Sequence, residues 1–257
     1  MAEWRFLRGW TDAELANRLQ AARSLTRNFD DHEGGMTLER GWSRHHSTAL
    51  IAREAPGPPL PDGPFERAWD QMSRFAFSDP RIVKGHFDPS SPLLNRVMLN
   101  EVLIFGLHYL NPVVISSVRH HADDERTQHG FRYETLEGHF ETGLEWFLLA
   151  KDHHTGDVTF TVHAGWKGGQ LPNWWSKLGF KLLAPRYQRA WHRLAHLRLR
   201  QLVGSTDLAP LPRGRRLVTQ GPPLPVFATV QATASGPPPA AVEHEHETTP
   251  AHNQETT

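Results

Sequence analysis

His139, Glu141 and Glu145 lie two and then four residues apart in the segment GFRYETLEGHFETGLEWFLLAK, residues 130–151, with glycines at 138 and 143. In extended chain, side chains alternate faces with a period of two. The histidine and the two glutamates then point one way, with Gly143 between them, while Phe140, Leu144, Trp146 and Leu148 point the other. One face suits a core, and the opposite face carries a cluster of titratable groups. A histidine beside carboxylates can move protons as a general acid and base, or ligate a divalent metal. Geometry constrains the metal option. Same-face positions on a strand lie about 6.5–7 Å apart, so one ion reaches two of these residues only if the strand bulges, which Gly138 and Gly143 would allow. No metal site is expected on that ground. The same residues would also serve as a buried polar network pairing with Arg132 or an arginine of the C-terminal helix, or as the groups that orient a ligand.

Nothing else in the chain strengthens an enzymatic reading. HExxH, P-loop, GxGxxG and GxSxG patterns are absent, and no cofactor is expected. The absence of cysteine excludes disulfides, thiolate catalysis, iron–sulfur clusters and cysteine-ligated zinc. The formal net charge is zero, so nucleic-acid binding is not expected. The 17 histidines are scattered. The pairs His45-His46, His120-His121 and His153-His154 fall at expected strand ends or loops, where exposure to solvent is the simplest reading. The opening MAEWRFLRGW lacks the apolar core of a secretory signal. The longest apolar region, residues 97–118, is broken by Asn100, Glu101, His108, Asn111 and Pro112, whereas a spanning helix needs roughly 20 apolar residues. A soluble, cytoplasmic protein with no transmembrane segment is expected.

The positioning elements follow from pattern. Residues 11–25 read as a helix capped by Thr11 or Asp12, with Leu15, Leu19 and Ala22 at helical spacing. Residues 28–44 read as a polar loop and 47–55 as a strand. The proline-rich run 56–64 must be a connection, and Pro64 suits the first turn of a helix carrying Phe65, Trp69, Met72 and Phe75. A meander is expected next: strands over 81–87, 97–110, 113–120, 128–136, 143–151 and 157–166. Its turns fall at Asn111-Pro112, residues 122–125, Glu137-Gly138 and residues 154–157. Residues 173–203 read as a long basic helix with Trp175, Leu178, Leu182, Trp191, Leu194 and Leu197 in a stripe, kinked or split at Pro185.

These elements define one α+β domain, residues 1–204, comprising the N-terminal helix 11–25, a linker 26–46 and a core 47–204. Residues 205–257 are proline-rich and poor in large apolar residues, the composition of a disordered tail. An antiparallel meander with one apolar face must be covered, and the C-terminal helix is the natural cover. The expected architecture is a helix-grip of the START/Bet v 1-like kind, with an aromatic-lined space between sheet and helix.

One stretch is also familiar as a pattern. Gly130-Phe131, Tyr133, Thr135-Leu136, Gly138-His139, Glu141, Gly143, Glu145 and Phe147 resemble the signature GFxYGTLPGHPExGEExF of uncharacterised protein family 0548, a DUF1990-type domain of unknown function. Leu110-Asn111-Pro112 and the basic C-terminal helix fit as well, and the resemblance spans roughly residues 4–203. Glu134 stands where that pattern has glycine, Glu137 and Phe140 where it has proline, and Leu144 where it has glutamate. The resemblance implies no particular activity.

Three functional classes are carried forward. The preferred one is a module that binds an apolar small molecule or lipid between sheet and helix, through Tyr109, Phe131, Tyr133, Thr135, His139, Glu141, Glu145, Trp146 and Trp191. The second is an enzyme using His139 with Glu141 or Glu145 as acid and base. The third is a membrane-peripheral or interaction protein that presents its basic helix.

Overall fold

Eight strands form a single antiparallel sheet, with one long helix laid across its inner face. The computed structural model describes residues 3–32, 35–168, 174–205 and 207–220, with side chains 174–185 excluded. The elements in chain order are β1 (Glu3–Phe6), α1 (Asp12–Ala22), β2 (Ser43–Arg53), α2 (Pro64–Ser73), β3 (Val83–His86), β4 (Val97–Ile104) and β5 (Leu107–Ala122). They continue with β6 (Arg126–Thr135), β7 (Glu141–Asp152), β8 (Asp157–Gly168) and α3 (Trp174–Leu202). Strand order is β2-β8-β7-β6-β5-β4-β3, with β1 added beside β5. This is the helix-grip arrangement, a meander closed by its C-terminal helix.

Local chemistry starts the helices where expected. The Thr11 hydroxyl accepts the Glu14 N–H, and the Glu14 carboxylate accepts the Thr11 N–H, a reciprocal cap that satisfies two otherwise orphaned donors. Pro64 occupies the first turn of α2, where its missing donor is harmless. The Glu54 carboxylate accepts the Phe65 N–H at 2.6 Å and takes the Lys151 ammonium at 2.6 Å. Both side chains of that ion pair are fully buried, and Lys151 also donates to the Pro58 carbonyl.

Both faces of the sheet are covered. On the inner face, Phe131 of β6, Phe147 and Leu149 of β7 and Phe160 of β8 pack with Met72 and Phe77 and with Trp191 of α3. Phe147 touches the rings of Phe75, Phe77, Phe131, Tyr133 and Trp191. On the outer face, α1 covers β4 and β5 through Leu15, Leu99 and Leu110. Phe29, Met36 and Trp42, from the stretch expected as a polar loop over 28–44, pack onto Leu144, Trp146 and Leu148.

Several expectations are corrected. The strand expected over 97–110 is two strands, because the chain reverses at Phe105 and Gly106, whose φ values of 49° and 78° are those of a tight hairpin turn. Asn111-Pro112 is therefore not a turn but lies inside β5. Pro112 is tolerated there because β1 pairs β5 only up to Leu110 and β6 begins pairing at Val113, so no strand bond is lost on that side. Pro185 does not divide the C-terminal helix, which is one element. Part of the expected tail is also packed: Leu211, Leu217 and Val218 are buried against Ala49, and Thr219 exchanges backbone bonds with His46. The side chains of Trp175, Leu178 and Leu182 and the tail beyond residue 220 lie outside the described residues.

Candidate functional site

The inner face of β7 carries Glu141, Gly143 and Glu145 and then continues directly into Phe147 and Leu149 of the core. The titratable face is thus the face that meets the helix, not the one opposite the core as expected. Where the sheet and α3 part, a cavity of about 680 Å³ remains. Its walls come from β4, the β4–β5 hairpin, the ends of β6, β7 and β8, and α3 from Arg186 to His192. Phe105 is 81% exposed and Arg186 is exposed, which marks the side where the cavity meets solvent. Tyr187 closes the helix onto the sheet by donating to the carbonyls of Ile82 and Leu103.

Of the residues expected to contact a ligand, Tyr109, Tyr133, Thr135, His139, Glu141, Glu145 and Trp191 line this cavity. Two do not. Phe131 is 1% exposed within the inner core, and Trp146 points to the outer face, against Trp42 and its neighbours. The Trp146 error follows from the swapped faces: alternation separates the two sets correctly but carries no label for which set meets the helix.

His139 is held by its own turn. Its Nδ1 accepts the Glu141 N–H at 2.9 Å, just after Gly138 with φ 90°. Burial pushes the ring's pKa down to about 3, so it stays neutral. This geometry makes His139 a positioning group and weakens its candidacy as the acid or base. Thr135 supports the same corner, accepting the Gly143 N–H and donating to Asn28. Gly143 is required on steric grounds: an added Cβ would lie 2.2 Å from the Gly165 carbonyl oxygen of the adjoining strand.

The two acids differ in their company. The Tyr133 hydroxyl donates to the Glu145 carboxyl, and His192 Nε2 lies 3.8 Å from its other oxygen. Glu141 has no side-chain partner among the described residues. Burial pushes both carboxyls up to about 8, and for Glu145 the Tyr133 bond works against the rise while the neighbouring Glu141 adds to it. Arg132, the expected counterion, bonds Glu134 on the opposite face instead. Asn100 on β4 also lines the cavity; it is 4% exposed, and its Oδ1 has no partner among the described residues.

Behind this polar end lies a histidine cluster that sequence reasoning missed. Ser47 of β2 bonds both His192 Nδ1 at 2.7 Å and His196 Nε2 at 2.9 Å. His46 stacks on His163 with centroids 4.5 Å apart. Burial lowers all four histidines, His163 to about 4, His196 to about 3 and His192 well below its ordinary value. The expected exposure of His45-His46 is therefore wrong for a pair that sits inside β2, partly buried. The available signal was the i, i+4 spacing of His192 and His196 in phase with Trp191, Ala195 and Leu199. Among the described residues, no group of three or more His, Asp or Glu is arranged to hold a metal.

A helix-grip domain with a large cavity between sheet and helix and a carboxyl-lined end to it is the class that fold and site define. The chain belongs to the family described as Domain of unknown function (DUF1990), which it matches over residues 30–197. No curated protein matches it. Similar solved structures include a norcoclaurine synthase point mutant from Thalictrum flavum in complex with a transition-state analogue, at 10% identity and TM-score 0.42, covering 63% of this chain and 94% of that one. Ara h 8.0201 gives 11% identity and TM-score 0.36, covering 65% and 100%. Hypothetical protein jhp0584 from Helicobacter pylori gives 11% and 0.39, covering 62% and 86%. The fold description rests on this chain's own sheet order and helix placement.

Proposed function

We propose that this protein binds an apolar small molecule or lipid in the space between its sheet and C-terminal helix, with the ligand's polar group turned toward Glu141, Glu145 and Tyr133. The observation that carries this reading is the cavity of about 680 Å³ inside an otherwise tightly packed fold. Cavities of roughly 300–1,000 Å³ with mostly apolar walls and a few convergent polar groups are the usual form of small-molecule sites. Val102, Leu103, Leu107, Phe140 and Trp191 supply the apolar wall.

Native mass spectrometry of the purified chain, with organic extraction of whatever travels with it, tests the reading. The expected result is a reproducible apolar adduct that is lost when Ala164→Trp fills the cavity. A clean mass, together with no binding of any apolar probe, overturns it.

The acid–base alternative is favoured by one observation, the placing of Glu145 between Tyr133 and His192, and it centres on that glutamate rather than on His139. The membrane-peripheral alternative has less support. Of the basic face expected of α3, Arg200 turns back onto the carbonyls of Leu50 and Ala209, Arg186 is exposed, and the side chains of Lys177 and Lys181 lie outside the described residues. No helix among the described residues is long and apolar enough to cross a membrane.

A further inference from the structure

We propose that the polar end of the cavity is a cation site, in which the ammonium group of an apolar primary amine pairs with the Glu141 carboxylate and donates a further hydrogen bond to Asn100 Oδ1. This rests on the reading of the cavity as a ligand site and names the ligand class it selects.

Two polar groups on the cavity wall stand out, the Glu141 carboxyl and the Asn100 amide oxygen. Glu141 has no hydrogen-bond or ion-pair partner among the described residues, and neither does Asn100 Oδ1. Their elements meet at this corner: Asn100 and Asn111 are Cα partners, and Asn111 Oδ1 accepts the N–H of Phe140, the residue before Glu141. The Tyr133 hydroxyl is committed to Glu145, and Thr135 is committed to Asn28. His192 is bound to Ser47, and His139 is neutral. Among the described residues, the one arginine or lysine on the wall is Arg186, exposed at the rim and in no ion pair with another described residue. An isolated buried carboxyl is unfavourable unless paired, and a ligand carrying three N–H donors on a positive centre supplies what the corner lacks. A fatty acid brings no positive charge to hold Glu141 ionised, and its carboxylate pairs with these glutamates only while they keep their protons.

The proton balance gives a signature. At neutral pH Glu141 is mostly protonated, since burial holds it up to about 8. An amine arriving as R–NH3+ meets a carboxylic acid. The ion pair forms as the O–H proton leaves to solvent, so binding releases up to one proton per amine.

The test is isothermal titration of the full chain at pH 7 with decylamine, decan-1-ol and decanoate, each below its micelle concentration, in phosphate and in Tris, whose ionisation heats differ. The expected result is amine binding about tenfold or more tighter than the alcohol, as a charge-assisted bond implies, with net proton release and with decanoate weakest. Glu141→Gln should bring the amine close to the alcohol and abolish the proton release. The comparison of the three probes on the wild-type chain stands even if that variant folds poorly. Alcohol or decanoate binding as tightly as the amine overturns the amine assignment while leaving the cavity reading intact. Binding of none of the three overturns both.

Discussion

Tyr133 and Glu145 face one another as Cα partners across β6 and β7, and the phenol donates to the carboxyl at the inner end of the cavity. That bond favours the ionised carboxylate and so restrains the rise that burial imposes on Glu145. Tyr133→Phe removes the donor and leaves the carboxyl buried without it. The expected outcome is a further rise of the Glu145 pKa above about 8, read by NMR titration, with a stability loss of about 1–3 kcal/mol. An unmoved titration would show that the phenol does not hold this group.

Ser47 serves two histidines at once. Ser47→Ala leaves His192 Nδ1 and His196 Nε2 without their shared partner, both in fully buried rings. A loss of about 1–3 kcal/mol is expected by chemical denaturation. A loss below the error of the measurement would mean that the two rings find other partners.

The histidines also set an acid limit. His129 and His163 are lowered to about 4, and His139 and His196 to about 3, each chiefly by burial. In the unfolded chain a histidine titrates near 6.5. Above that value both states are neutral and no difference arises. As the pH falls from about 6.5 toward the folded values, only the unfolded chain takes up protons. Each group then lowers stability by up to ~1.4 kcal/mol per pH unit. Thermal melts at pH 7, 6 and 5 should fall steeply; a flat profile to pH 5 would contradict the buried neutral assignment.

Glu141 acts on the other side of neutrality. Its folded pKa of about 8 lies above its ordinary 4.5. Between those values the unfolded chain has lost the proton and the folded chain keeps it, so stability falls as pH climbs and levels off above about 8. Glu141→Gln removes this dependence. The variant should match the wild type near pH 4.5 and exceed it by up to about 4 kcal/mol at pH 8, measured by denaturant titration. An advantage that does not grow with pH would refute the assignment.

Gly143→Ala places a methyl 2.2 Å from the Gly165 carbonyl oxygen, which is backbone and cannot swing away. A destabilisation of about 1–3 kcal/mol is expected in thermal melts, as for other overpacked positions. A neutral outcome would mean that β7 and β8 separate without penalty.

How far the fold was legible depended on whether the deciding contact was local. The Thr11–Glu14 cap and the Pro64 helix start involve neighbours a few residues apart, and both stand where the sequence pointed. The alternation of Glu141 and Glu145 against Leu144, Trp146 and Leu148 was equally local and correct. Which set faced the helix was not local. It depends on Phe29, Met36 and Trp42, three apolar residues without helical or strand periodicity that cover the outer face from about a hundred positions away. Pro112 misled for the same reason: its tolerance inside β5 arises from where β1 ends and β6 begins, which no short window contains. The site residues on β6 and β7 were readable from their spacing. Asn100 and His192 were not, since nothing in their own neighbourhoods marks them as facing a cavity.

The Glu54–Lys151 pair reaches beyond this one molecule. Losing either partner strands a charge among buried side chains, at about 3–5 kcal/mol, against a total stability of about 5–15 kcal/mol for a typical domain. Replacing both with apolar residues of matching size carries no such burden. Mutational drift at these two sites is therefore not independent. A lineage that abandons the lysine is expected to abandon the glutamate almost in the same step, so homologues should divide into those that keep both charges and those that keep neither. Residues 97 positions apart in the chain thus behave as a single heritable character.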